Sequence, residues 1–270
     1  MAQSRTLLII RNSAYYVAAL ALSGVFLFTV PAVLLPRRHG LPVLNAYLRG
    51  ILFLLKWICG LSYEVKGAEH LPAGPVLLAS AHQSTWENLF FILILSNPSF
   101  VVKEELFHYP LVGAIARKNG YIPAYRTGDL DGIRNSIADA VEQADRGRSI
   151  LIFPPGTRTG IDAMPVFRRG VAALYEKLQL PCVPIAHNSG RYWQHRSWLR
   201  YPGVITVEIL PAIPVGLDKK AFLDTLSDEL TEATERLLRI PGNPALMPEL
   251  STRAERLAAR LQATRKAETG

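Results

Sequence analysis

Gly74-Pro75-Val76-Leu77-Leu78-Ala79-Ser80-Ala81-His82-Gln83-Ser84-Thr85-Trp86-Glu87 is where one kind of local pattern gives way to another. Its first half is a short apolar run opened by Gly-Pro, the pattern of a strand buried on both faces. From Trp86 the chain is apolar to residue 95, long enough for a helix. A strand that hands over to a helix belongs to an α/β protein, and such folds place their chemistry at the handover. The alternation continues outward. Strands are predicted at 76–79, 100–103, 149–153, 182–186 and 204–210, each short and rich in Val, Ile or Leu. Helices are predicted at 86–95, 106–118, 131–146, 167–178 and 218–240, the last stopped by Pro241-Gly242-Asn243-Pro244. In the 131–146 helix, Ile133, Ile137, Ala140, Val141 and Ala144 share a face, with acid early and base late as the dipole favours. The expected fold class is α/β, a mixed, largely parallel sheet flanked by helices.

His82 and Glu87 lie five residues apart in that opening stretch. An imidazole with a carboxylate in reach can draw a proton from an alcohol. Five residues is too long for facing positions on a regular helix, so the pair should straddle a turn and a helix start. Read singly, His82 is an ordinary hydrogen-bonding residue and Glu87 a charge that suits a helix N-terminus. Further blocks follow: Lys103-Glu104-Glu105-Leu106, then Gly120-Tyr121-Ile122-Pro123-Ala124-Tyr125-Arg126, then Phe153-Pro154-Pro155-Gly156-Thr157-Arg158-Thr159, and Val183-Pro184-Ile185-Ala186. Gly156 and Thr157 would let the backbone approach an anion closely. Lys103, Arg126 and Arg158 each follow a predicted strand or turn and singly read as surface charges. There is no G-x-S-x-G elbow, no Walker lysine and no G-x-G-x-x-G, and Asp129 and Asp131 read as caps. No metal and no nucleotide cofactor is expected.

In order and spacing the four blocks resemble the glycerolipid acyltransferases, the 1-acylglycerol-3-phosphate acyltransferase family. Its blocks are H-x4-D, a Lys block closing in G-x-I-x-x-x-R, F-P-E-G-T-R and V-P-x-x. The resemblance runs from Pro75 to Pro214. It implies acyl transfer from acyl-CoA or an acyl carrier protein thioester to the free hydroxyl of a lysophospholipid, lysophosphatidic acid in the first place. It gives His82 and Glu87 the catalytic roles, and places Lys103, Arg126, Gly156, Thr157 and Arg158 around the acceptor. Two positions depart from the pattern: Glu87 stands where the family usually has Asp, and Pro155 where it has Glu. The second leaves other acceptors open, such as a lyso-ornithine lipid, and also a lipid-binding protein without activity. A lipid hydrolase is disfavoured by the missing serine elbow.

Residues 14–36 contain no charged side chain, with Arg5 and Arg11 before them and Arg37-Arg38 after. At about 1.5 Å per residue such a helix nearly crosses a hydrocarbon core of about 30 Å, with Pro31 kinking its end. Residues 44–61 are also apolar but carry Arg49 and Lys56, seven apart and so near one helix face, where both can snorkel. Either the first segment spans, or the two form a hairpin in one leaflet; the resemblance favours the hairpin. The chain has 270 residues, net charge +8 and 49% hydrophobic residues, which together favour a membrane surface over nucleic acid. Cys59 and Cys182 are unclustered and read as apolar filler. The expected organisation is membrane-associated helices at 1–62, an acyltransferase domain at 63–245 and a charged helical tail at 246–270. The expected location is a membrane, with the active site on the cytosolic side.

Overall fold

The computed structural model describes residues 5–28, 37–95, 98–125 and 129–239. Pro31, Arg126 and the tail expected at 246–270 lie outside them. The chain opens with two helices, α1 (Arg5–Phe28) and α2 (Arg37–Leu54), the second continuing as a π-helical turn over Leu55–Cys59. β1 (Leu61–Lys66), β2 (Leu77–Ser80), α3 (Trp86–Ile94), β3 (Ser99–Lys103), α4 (Pro110–Lys118) and β4 (Ile122–Ala124) follow. Then come α5 (Leu130–Asp145), β5 (Ile150–Ile152), α6 (Gly170–Leu178), β6 (Cys182–His187), the short α7 (Ser189–Tyr192), β7 (Gly203–Ile209) and α8 (Lys219–Leu238).

The strands form one seven-stranded sheet in the order β1-β7-β6-β2-β5-β3-β4. Every neighbouring pair is parallel except β6 and β7. The sheet is therefore mixed and largely parallel, as the alternating pattern requires. Successive residues of the central strands face opposite layers. Leu78, Leu151, Val183 and Ile185 pack with Trp86, Phe90 and Phe91 of α3 and with Leu55 and Tyr15 of the N-terminal helices. Leu77, Ala79, Ile150 and Cys182 pack on the other side with Ala140 of α5, Val171 and Tyr175 of α6 and Phe222 and Leu226 of α8. Cys182 is thus buried filler in the core.

Two strands were not expected, and both are edges. β4 is three residues long with Pro123 at its centre, and proline is tolerated only where one side of the ladder is unpaired. β1 alternates Ser62, Glu64 and Lys66 with Leu61, Tyr63 and Val65, the pattern of a strand with one wet side. The helix expected at 106–118 is divided: Glu104–His108 forms a 3-10 turn, and Pro110 opens α4 at the position where its missing N–H costs nothing.

The N-terminal helices begin earlier than the uncharged run does. α1 takes in Arg5 and Arg11, because Arg11 finds a partner: its Nε donates to Ile58 O at 2.6 Å in the π turn. The two helices run antiparallel. Ser23 Oγ lies 2.9 Å from the Tyr47 hydroxyl, and the Phe26 and Tyr47 rings stack at 4.3 Å. Arg5–Phe28 and His39–Cys59 are each long and apolar enough to cross a membrane. Leu7, Ile10, Val17, Leu20, Val25 and Phe28 are exposed on α1. Arg49, Phe53, Lys56 and Trp57 are exposed along one side of the second helix, a basic and aromatic mixture suited to a lipid headgroup layer.

One polar residue ties this hairpin to the sheet domain. Asn12 is fully buried, and its side chain exchanges two hydrogen bonds with the backbone of Arg200: Arg200 N donates to Oδ1 at 2.7 Å, and Nδ2 donates to Arg200 O at 3.1 Å. Tyr16 adds a hydroxyl donated to Trp198 O at 2.8 Å. Asn12→Leu would strand both Arg200 backbone groups without water. The variant is expected to lose about 1–3 kcal/mol of stability, seen as a lower unfolding midpoint in detergent.

Candidate active site

β2 lies at the centre of the sheet between β5 and β6. Its carboxyl end runs into an irregular loop over residues 81–85 before α3 begins at Trp86. This loop carries His82 outside any helix and places Glu87 in the first turn of α3, so the five-residue spacing closes. His82 Nδ1 and Glu87 Oε1 are 3.0 Å apart. The Glu87 side chain is fully buried, whereas His82 keeps 14% of its side-chain surface exposed. The His82 ring lies flat against Phe153, with centroids 4.1 Å apart.

Glu87 is held at both oxygens. Oε1 also accepts from the backbone N–H groups of Gln83 and Ser84, each at 2.8 Å. Oε2 accepts from the hydroxyls of Ser84 and Ser189, the latter at 3.0 Å. Burial is the largest single influence on this carboxyl and pushes its pKa up. The hydrogen bond from His82 and the neighbouring imidazoles outweigh it and lower the pKa to about 2. An ionised carboxylate only accepts, so Nδ1 of His82 carries a proton and Nε2 offers its lone pair outward. The arrangement can accept a proton at Nε2 while a buried negative charge stabilises the imidazolium.

The Phe153–Gly156 turn is closed by Gly156 N donating to Phe153 O at 2.8 Å, and Gly156 has a φ of 70°, which favours glycine. Arg168 donates from Nε to Pro155 O at 3.2 Å and braces the same turn. Beyond the turn, Thr159 N donates to His82 O at 2.8 Å. Arg158 Nε donates to Ser84 O at 3.0 Å, which anchors the guanidinium on the loop between His82 and Glu87. Thr157 is exposed next to it. Lys103 is exposed at the carboxyl end of β3, two strands from β2 on the same sheet edge. Among the described residues no group of three or more His, Cys, Asp or Glu side chains could hold a metal ion.

The Acyltransferase family model matches residues 62–188. A 1-acyl-sn-glycerol-3-phosphate acyltransferase of Pseudomonas aeruginosa is 35% identical over 190 residues, covering 70% of this chain and 74% of that one. The chain belongs to the 1-acyl-sn-glycerol-3-phosphate acyltransferase family. A sheep 1-acyl-sn-glycerol-3-phosphate acyltransferase alpha is 29% identical over 197 residues, 71% of this chain and 68% of that one. In fold, the crystal structure of the 1-acyl-sn-glycerophosphate (LPA) acyltransferase PlsC from Thermotoga maritima superposes with a TM-score of 0.66 at 16% identity, covering 86% of this chain and 98% of that one.

In this acyltransferase several residues shape the site that the motifs did not single out. Ser189, at the start of α7, reaches Glu87 from the far end of β6. Gly190 N donates to Gln83 Oε1 at 2.9 Å, and a side chain at 190 would run into Ile161 and Gln83. His187 is fully buried beneath the loop and its Nε2 donates to Ala81 O at 2.8 Å; burial lowers its pKa, against the pull of the nearby Glu87 carboxylate. A largely apolar cleft opens beside His82, lined also by Pro155, Ile161, Met164, Leu230 and Glu235. Pro155 is buried in its wall.

Proposed function

We propose that this acyltransferase moves a fatty acyl chain from a thioester, acyl-CoA or acyl carrier protein, to the free hydroxyl of lysophosphatidic acid, giving phosphatidic acid. The observation that carries this reading is the His82–Glu87 pair at 3.0 Å with the Arg158 guanidinium anchored on the same loop. The acceptor hydroxyl gives its proton to Nε2 of His82 as its oxygen bonds to the thioester carbonyl carbon. The tetrahedral adduct collapses, the C–S bond breaks, and the imidazolium returns the proton to the departing thiolate. Glu87 fixes the ring and offsets the charge it gains. A thioester already has a good leaving group, so the cycle needs no acyl-enzyme. Arg158, Lys103 and Arg126 supply positive charge for an acceptor phosphate, Arg as a fork and Lys as a point charge.

The apolar outer faces of the N-terminal helices bind the enzyme to a membrane, with residues 1–62 as the membrane element and the site on the cytosolic side. The buried Pro155 beside His82 favours a second acceptor reading, a lysolipid such as a lyso-ornithine lipid. Purified enzyme in detergent, given either thioester and a panel of lysolipids, should release thiol only with an acceptor present and fastest with lysophosphatidic acid. Thiol release without acceptor would mean hydrolysis, and none with any acceptor would leave a binding protein.

A further inference from the structure

We propose that His195 and Arg196 complete, with Arg158, a clasp for a phosphate monoester at the mouth of the catalytic site. The proposal rests on the acyltransferase reading and names residues outside the four motif blocks. Arg158 Nη1 lies 3.3 Å from His195 Nδ1. A guanidinium only donates, so His195 accepts at Nδ1 and carries its proton on Nε2, which becomes a second donor beside the first. The charged and titrating groups that act on His195 are Arg158, Arg196 and His82. Partial burial first, and then these three, lower its proton affinity. An imidazole hydrogen-bonded to a guanidinium, with its proton affinity lowered by neighbouring cations, fits an anion that supplies the missing charge.

The backbone adds a second observation. Arg196 has a φ of 68°, a left-handed conformation that side-chain-bearing residues seldom take. The segment that imposes it is pinned at both ends. Trp193 N donates to Ser189 O at 2.8 Å, Tyr201 N donates to Tyr192 O at 2.8 Å, and the Arg200 guanidinium lies 3.9 Å from the Trp193 ring centre. Ser189 also holds Glu87, so the clasp and the catalytic pair share one scaffold. His195 and Arg196 are themselves exposed and open to a ligand.

A phosphate monoester reaches this enzyme from two sources, the acceptor headgroup and the 3′-phosphate of a CoA donor. The anchoring of Arg158 beside His82 favours the acceptor. His195→Ala and Arg196→Gly, the latter keeping a residue at ease with the positive φ, should each raise KM for lysophosphatidic acid about tenfold, with most of the change in KM rather than kcat. KM for acyl-CoA at saturating acceptor should hold, and His195→Gln, which keeps a donor, should recover part of the loss. Glycerol 3-phosphate, as a probe independent of turnover, should raise the unfolding midpoint of the wild type and do so less in either variant. An unchanged KM for lysophosphatidic acid in both variants overturns the clasp, and so does a rise confined to KM for acyl-CoA. Failure of the wild type to acylate lysophosphatidic acid while the glycerol 3-phosphate difference persists overturns the acceptor reading and leaves the clasp standing.

Discussion

His82→Ala is expected to cut turnover by about 10²–10⁴-fold, the contribution of a positioned general base. The substitution should change stability little by comparison, because the ring is already partly exposed and Glu87 keeps four other hydrogen-bond donors. KM for either substrate should move much less than kcat. Steady-state kinetics beside thermal unfolding of the same preparation separates these effects. A variant with near-normal turnover would show that the proton leaves by another route.

Glu87→Gln is expected to lower kcat about 10²-fold or more while leaving the shape of the site in place. The amide oxygen can still accept from Gln83 N and Ser84 N, but the negative charge that steadies the imidazolium is gone. The same substitution has a signature in stability. The Glu87 pKa is lowered from 4.5 to about 2, so its ionised form stabilises the fold fully above pH 4.5. That contribution, on the order of 3 kcal/mol, is lost as pH falls through about 2. Urea unfolding from pH 6 to 2 should therefore show a steeper acid decline in the wild type than in Glu87→Gln. Equal slopes would remove the carboxylate from the account of acid stability.

The central strands were legible because each is buried on both faces and reads as a run of Val, Ile and Leu. β1 and β4 were not, because an edge strand has one wet side and carries charges or a proline there, as Glu64, Lys66 and Pro123 do. The start of α1 was misplaced because charge was taken as its limit, whereas Arg11 spends its charge on a carbonyl of the π turn. In the site, the resemblance supplied the pairing of His82 and Glu87, and their spacing supplied its place across a turn and a helix start, since a regular helix does not face residues five apart. Ser189 was not. It lies 102 residues from Glu87 and is brought there only because β6 pairs with β2. His195 likewise meets Arg158 through a loop whose course no local pattern announces.

The burial of Tyr15, Ile51, Leu52 and Leu55 in the same core as Phe90 and Phe91 bears on how the enzyme can be handled. The greasy amino-terminal pair, the proposed anchor, is also half of a roof over the sheet. Trimming it to obtain a water-soluble fragment would uncover a flank of the sheet and unfasten the backbone at Arg200, on the segment that carries His195. A shortened enzyme would forfeit the packing that fastens the segment carrying His195, so detergents or nanodiscs are the better route to intact material.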